Sequence, residues 1–117
     1  MKSIIDKIVQ LPKVFYDKGD ISMHSLLKET GYFGVHKMIT TTDILKSLSA
    51  YPQCSDYWLQ WSENKRSNVG WYFKEGEGRF LVGYFSTKEK HTPQVYTDKL
   101  EACAFFIRNE IEEIRLS

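Results

Sequence analysis

YWLQWSENKRSNVGWYF, residues 57–73, holds all three tryptophans of the chain, Trp58, Trp61 and Trp71, and changes its hydrophobic period partway along. Tyr57, Trp58 and Trp61 stand at i, i+1 and i+4. With Cys54 one turn earlier they form one face of a helix. The run Ser62-Glu63-Asn64-Lys65-Arg66 reads as a solvated helix end, its cations opposing the carbonyl end of the helix dipole. Ser67-Asn68-Val69-Gly70 is turn chemistry, and Trp71-Tyr72-Phe73 opens a strand. The stretch is thus a corner that delivers a tryptophan-bearing helix against an aromatic strand. Large aromatic side chains bury much area, so this corner is expected to anchor the core, with Trp58 and Trp71 inward.

Downstream of the corner the period is two. Residues 71–75 and 79–85 read as strands joined through Glu75-Gly76-Glu77-Gly78, a glycine-bearing hairpin turn. Residues 94–97 make a short third strand after a polar connection. Asp98 followed by Glu101 is a capping signal. Leu100, Cys103, Ala104, Ile107, Ile111 and Ile114 then define an amphipathic C-terminal helix.

Upstream of the corner the chain reads as helices. Ile4, Ile5, Ile8 and Leu11 share an apolar face, and Pro12 kinks or restarts that helix. A second helix spans residues 22–30, with Gly31 just past its end. Residues 32–38 read as a loop lying on the core. Thr40-Thr41-Thr42-Asp43 is a helix start with an acidic first turn, and Pro52 closes that helix. The expected fold is α+β: N-terminal helices, a small antiparallel sheet of about three strands, and a C-terminal amphipathic helix. Its 117 residues fit a single domain, residues 1–117, with no repeat or linker.

Composition narrows the function classes. The formal net charge is +1, and the halves are balanced: 7 Lys+Arg against 5 Asp+Glu in residues 1–52, and 9 against 10 thereafter. Such balance disfavours a general affinity for nucleic acid or anionic membrane. Charge in residues 1–7 interrupts any signal-like apolar run, so a cytoplasmic location is expected. Cys54 and Cys103 fall on apolar helix faces, where reduced thiols act as small hydrophobes. His24, His36 and His91 lack the spacing of a zinc site, the hairpin glycines lack the strand–loop–helix setting of a phosphate loop, and no metal or cofactor is expected. Ser62 and Ser67 are nucleophile candidates by location alone, with no histidine partner in reach of sequence reasoning. The chain is therefore expected not to be an enzyme.

Two binding readings remain. Trp71, Phe73, Phe80 and Tyr84 suit a stacking platform for single-stranded nucleic acid, although Glu75 and Glu77 sit where cations would be wanted. Alternatively the rings are core, and the acids Glu63, Glu75 and Glu77 are a polar surface for a protein partner. The runs Trp58-Leu59-Gln60-Trp61-Ser62-Glu63-Asn64-Lys65-Arg66 and Gly70-Trp71-Tyr72-Phe73 decide the preference. With the ending Asp98-Lys99-Leu100-Glu101-Ala102-Cys103-Ala104-Phe105-Phe106-Ile107, they resemble small bacterial immunity proteins of polymorphic toxin systems, including contact-dependent growth inhibition. The resemblance covers roughly residues 40–114. It implies a cytoplasmic antitoxin that binds and occludes a cognate toxin, often a nuclease, and it transfers no contact residue. Across an interface with a nuclease, Glu63, Glu75 and Glu77 are the expected partner-binding residues, because a phosphate-attracting surface is cationic.

Overall fold

Local residues set nearly every boundary of the helical half. The computed structural model describes residues 1–65 and 69–117. Helix α1 (Lys2–Val9) breaks at Gln10, and α2 (Leu11–Lys18) begins with Pro12 in its first turn, where the missing N–H is not needed. Gly19, at φ +76°, closes α2 in the left-handed conformation that glycine adopts without steric penalty. Ser22 caps α3 (Met23–Glu29) by accepting the Ser25 N–H at 3.1 Å.

Residues 32–38 are not a loop. They form one helical turn, α4 (Tyr32–Val35), followed by a 3₁₀ turn (His36–Met38). The cause is partly nonlocal. Tyr32 is fully buried, its N–H donates to Thr30 Oγ1 at 3.2 Å, and its hydroxyl donates to Glu112 near the end of the chain. Gly34, which suggested a loop, faces solvent.

Helix α5 (Thr41–Ala50) has a reciprocal capping box: Asp43 N–H to Thr40 Oγ1 at 3.1 Å, and Thr40 N–H to Asp43 Oδ2 at 3.0 Å. These hydrogen bonds lower the Asp43 carboxyl pKa. The short link Tyr51-Pro52-Gln53 leads into α6 (Cys54–Asn64), the tryptophan helix.

Strands β1 (Gly70–Gly76), β2 (Arg79–Phe85) and β3 (Gln94–Tyr96) make an antiparallel sheet in the order β1-β2-β3. Glu77 and Gly78 both have positive φ, +54° and +75°, between the paired residues Gly76 and Arg79. Positive φ at both central positions is the mark of a type I′ turn, whose twist matches the hairpin. Helix α7 (Lys99–Leu116) lies between this sheet and the helical layer, packing on α3, α5 and α6 and on all three strands. Ala102, Cys103, Ala104, Phe106, Ile107 and Ile111 are all fully buried along it. Small residues in its first turns let neighbouring backbones approach, and its phenylalanines meet the sheet.

Trp58 is fully buried, edge-on to Phe106, while Phe73 stacks on the same ring with centroids 5.7 Å apart. Trp71 is only partly buried and packs edge-on against Phe105 and Tyr84. Cross-strand partners share a face, so Trp71, Phe73, Glu75, Phe80, Val82 and Tyr84 lie on the α7 side, with Glu75 exposed near the hairpin end of β1. Tyr72, Lys74, Arg79, Leu81, Gly83, Phe85 and Val95 occupy the opposite face of the sheet. Both cysteines are buried free thiols whose pKa values are raised by desolvation.

Candidate functional site

A groove of about 760 Å³ lies where α6 runs beside β1, lined by Leu59, Ser62, Glu63, Tyr72, Phe73, Lys74, Glu75 and Phe85. Its walls are fixed to each other by one hydrogen bond, from the Phe73 N–H to Ser62 Oγ at 2.7 Å. That bond also shows which way the strand edge points. Phe73 turns its amide away from β2 and toward α6, so the helix covers this part of an otherwise open sheet edge. Ser62 is therefore occupied in holding a wall. Ser67 lies outside the described residues.

Tyr72 shapes the groove beside the sheet. A Cβ built on Gly83 would lie 2.5 Å from Tyr72 Oη and 2.7 Å from its Cζ, so the phenol lies across the glycine of the neighbouring strand. The Lys74 ammonium sits 5.4 Å from the centre of the Tyr72 ring, a cation–π distance. Phe85 is 54% exposed, and Val95 on the same face of the sheet is 53% exposed. These two stand out because large apolar side chains on an uncovered sheet face are available to a partner.

Of the three acids expected to meet a partner, the structure brings Glu63 and Glu75 to this groove, one from α6 and one from β1. Glu77 is exposed at the hairpin tip, outside the lining. None of the three makes an ion pair or side-chain hydrogen bond among the described residues. Leu59, Tyr72, Lys74 and Phe85 were missed as site residues. The signal for Phe85 was present, since it alternates with the set that became core.

The helix end next to the groove is less solvated than its sequence suggests. Lys65 turns inward and bonds both carboxylate oxygens of the buried Glu110 at 3.0 Å, and the Trp61 indole donates to the same carboxylate at 2.7 Å. Glu113 stands beside this pair. Its carboxyl pKa is raised, by desolvation first and by Glu110 second, and its Oε2 is buried without a hydrogen-bond partner among the described residues. Arg66, the other cation of this helix end, lies outside the described residues.

Farther along α7, Glu112 gathers a second polar cluster. Arg115 donates to both its oxygens, at 2.8 and 3.2 Å, and Tyr32 donates at 2.5 Å. Arg108 in turn donates to the Tyr32 hydroxyl at 3.1 Å. Bonding by Arg115 and then Tyr32 outweighs desolvation and holds the Glu112 carboxyl at about 2. Burial first, and the same bond second, push the Tyr32 phenol pKa up. This cluster ties α4 to α7 and is occupied with its own charges, so it is a structural junction.

Among the described residues no group of three or more His, Cys, Asp and Glu is placed to hold a metal ion, and no helix is long and apolar enough to cross a membrane. Compared with known proteins, the chain matches no family model, no curated protein and no solved structure.

Proposed function

We propose that this chain is an immunity protein: a stoichiometric inhibitor that binds a cognate toxin and occludes its working surface. The observation that carries the reading is the groove between α6 and β1, with an aromatic wall, the exposed Phe85, and two glutamates that make no ion pair among the described residues. A protein interface draws its affinity from a few desolvated anchors and its selectivity and association rate from charges around them. Phe85 and Tyr72 are of the first kind, Glu63 and Glu75 of the second. The choice of a toxin, in preference to another protein partner, comes from the resemblance of residues 40–114 to immunity proteins. A nuclease toxin suits the carboxylates, because its substrate surface is cationic.

The rings that suggested a nucleic-acid platform are used differently. Phe73 is buried, and Trp71, Phe80 and Tyr84 are partly buried on the α7 side of the sheet. The test is to produce any toxic domain that a neighbouring reading frame encodes, with and without this chain, in a sensitive host. Restored growth together with a one-to-one complex supports the reading. Failure of the folded chain to protect or bind refutes it. Binding of single-stranded RNA that falls steeply with salt would favour the nucleic-acid reading in its place.

A further inference from the structure

We infer that the groove between α6 and β1 receives a short cationic and apolar segment of the protein partner, with an arginine or lysine set between Glu63 and Glu75 and an apolar side chain against Phe85. This deepens the immunity reading and rests on it for the partner's identity, though not for the chemistry of the groove.

Three observations converge. The groove is large enough for two or three side chains, at about 760 Å³, and it mixes apolar lining (Leu59, Tyr72, Phe73, Phe85) with charge. Its two carboxylates come from different walls and have no cation to neutralise them among the described residues. Of the described cations nearest in sequence, Lys65 is turned inward on Glu110, and Lys74, itself in the groove lining, sits over the Tyr72 ring. The second of these contacts is informative in itself. Within the lining the Lys74 ammonium already rests on the Tyr72 face, the kind of contact that an aromatic wall can also make with a guanidinium. An incoming arginine has a planar head that can meet a carboxylate in a fork while stacking on a ring, and lysine has a long apolar stem. An acidic segment would bring like charge against Glu63 and Glu75 and is disfavoured.

Glu77 is excluded from this contact by its position at the hairpin tip. The three acids therefore separate: Glu63 and Glu75 act together, and Glu77 does not act with them.

The direct probe is a pair of synthetic peptides, acetyl-Leu-Arg-Leu-Arg-amide and acetyl-Leu-Glu-Leu-Glu-amide, titrated into the isotope-labelled chain and followed by amide chemical shifts. The expected result is saturable shifts for the arginine peptide, centred on Leu59, Glu63, Lys74, Glu75 and Phe85. Affinity should fall at least about fivefold in the Glu63→Gln/Glu75→Gln variant and in Phe85→Ala, and remain unchanged in Glu77→Gln. All these positions are exposed, so the fold is retained, which circular dichroism checks. Shifts centred elsewhere, equal binding of the glutamate peptide, or affinity indifferent to the double variant would each overturn the inference. Growth protection supplies the second arm. If the wild type protects and Glu63→Gln/Glu75→Gln/Phe85→Ala protects and binds equally well, the groove is wrong and the immunity reading stands. If the wild type gives no protection, that reading falls, and the peptide titration alone decides the groove.

Discussion

Replacing Trp58 by phenylalanine isolates what one buried indole does for this fold. The side chain has no exposed surface, and its Nε1–H donates at 2.9 Å to the carbonyl of Val9. Val9 is the last residue of α1, where the break at Gln10 leaves terminal carbonyls without helical partners. The indole is thus a cap, supplied by a residue 49 positions away in sequence. Phenylalanine keeps one ring but removes the donor, leaving a buried acceptor unpaired at about 1–3 kcal/mol, and opens a small void worth about 1 kcal/mol more. The expected loss is about 2–4 kcal/mol, a fall in Tm on the order of 10 °C for a domain of this size. Truncation to alanine should approach about 5 kcal/mol. Trp71, only partly buried, should lose clearly less on truncation. Urea unfolding followed by far-ultraviolet circular dichroism measures all of these without relying on tryptophan emission. A Trp58→Phe variant within about 0.5 kcal/mol of the wild type would refute the capping argument.

Gly83→Ala should cost about 1–2 kcal/mol, because the new methyl group meets the Tyr72 phenol at 2.5–3.0 Å; the loss should largely vanish in a Tyr72→Ala background, a coupling that a double-mutant cycle reads directly. Glu112→Gln should destabilise by about 1–2 kcal/mol near neutral pH, after discounting for solvent screening. The Glu112 carboxyl pKa is depressed to about 2 from 4.5, so its stabilisation is full above the unfolded value and fades as pH falls through the folded one. Denaturation of both proteins at a series of acidic pH values should show that gap closing; a constant gap refutes the assignment. Glu113 has the opposite sign. Its pKa is raised by burial, so the ionised form opposes folding above that value, and Glu113→Gln should raise Tm at neutral pH and lose its advantage as acid protonates the wild type. A lower Tm for Glu113→Gln at neutral pH would show that a partner of this carboxylate outweighs its desolvation.

What could be read from the sequence was what local chemistry decides. The Thr40–Asp43 box, the Asp98 cap, the restart at Pro12 and the hairpin around Glu77-Gly78 each need only a few neighbouring residues. The turn at 32–38 was misread because its determinants are far apart: Tyr32 is held by Glu112, 80 positions away. The sheet shows the same limit. Alternation divides its side chains into two sets, Phe80/Val82/Tyr84 and Leu81/Gly83/Phe85, but both are apolar enough to be buried. Which set goes inward is settled by α7, whose adjacent Phe105 and Phe106 meet Trp71 and Phe73. Charge reading was similarly partial. Lys65 looked like a solvated terminal cation and instead neutralises a buried glutamate on another helix, a pairing with no sequence-local mark.

The groove follows the same division between scaffold and surface. Glu63 and Glu75 are 12 positions apart in sequence and line one groove because α6 is bound to the β1 edge by Ser62 and Phe73. Beneath them the structure is tightly determined: Phe73 is stacked on Phe106, and Lys65 and Trp61 are bonded to Glu110. Above them nothing is. Glu63, Glu75 and Phe85 are exposed and make no side-chain hydrogen bond among the described residues, so substitutions there should change stability by no more than about 0.5 kcal/mol. On the proposed reading, such a surface can change its specificity without endangering the fold, because its rim residues carry little of the folding free energy. Ser62 is the exception, since it serves both layers. Losing its hydroxyl would uncover the Phe73 amide at a strand edge and loosen the wall that carries Glu63, so Ser62→Ala should weaken partner binding by more than the loss of one lining hydroxyl would.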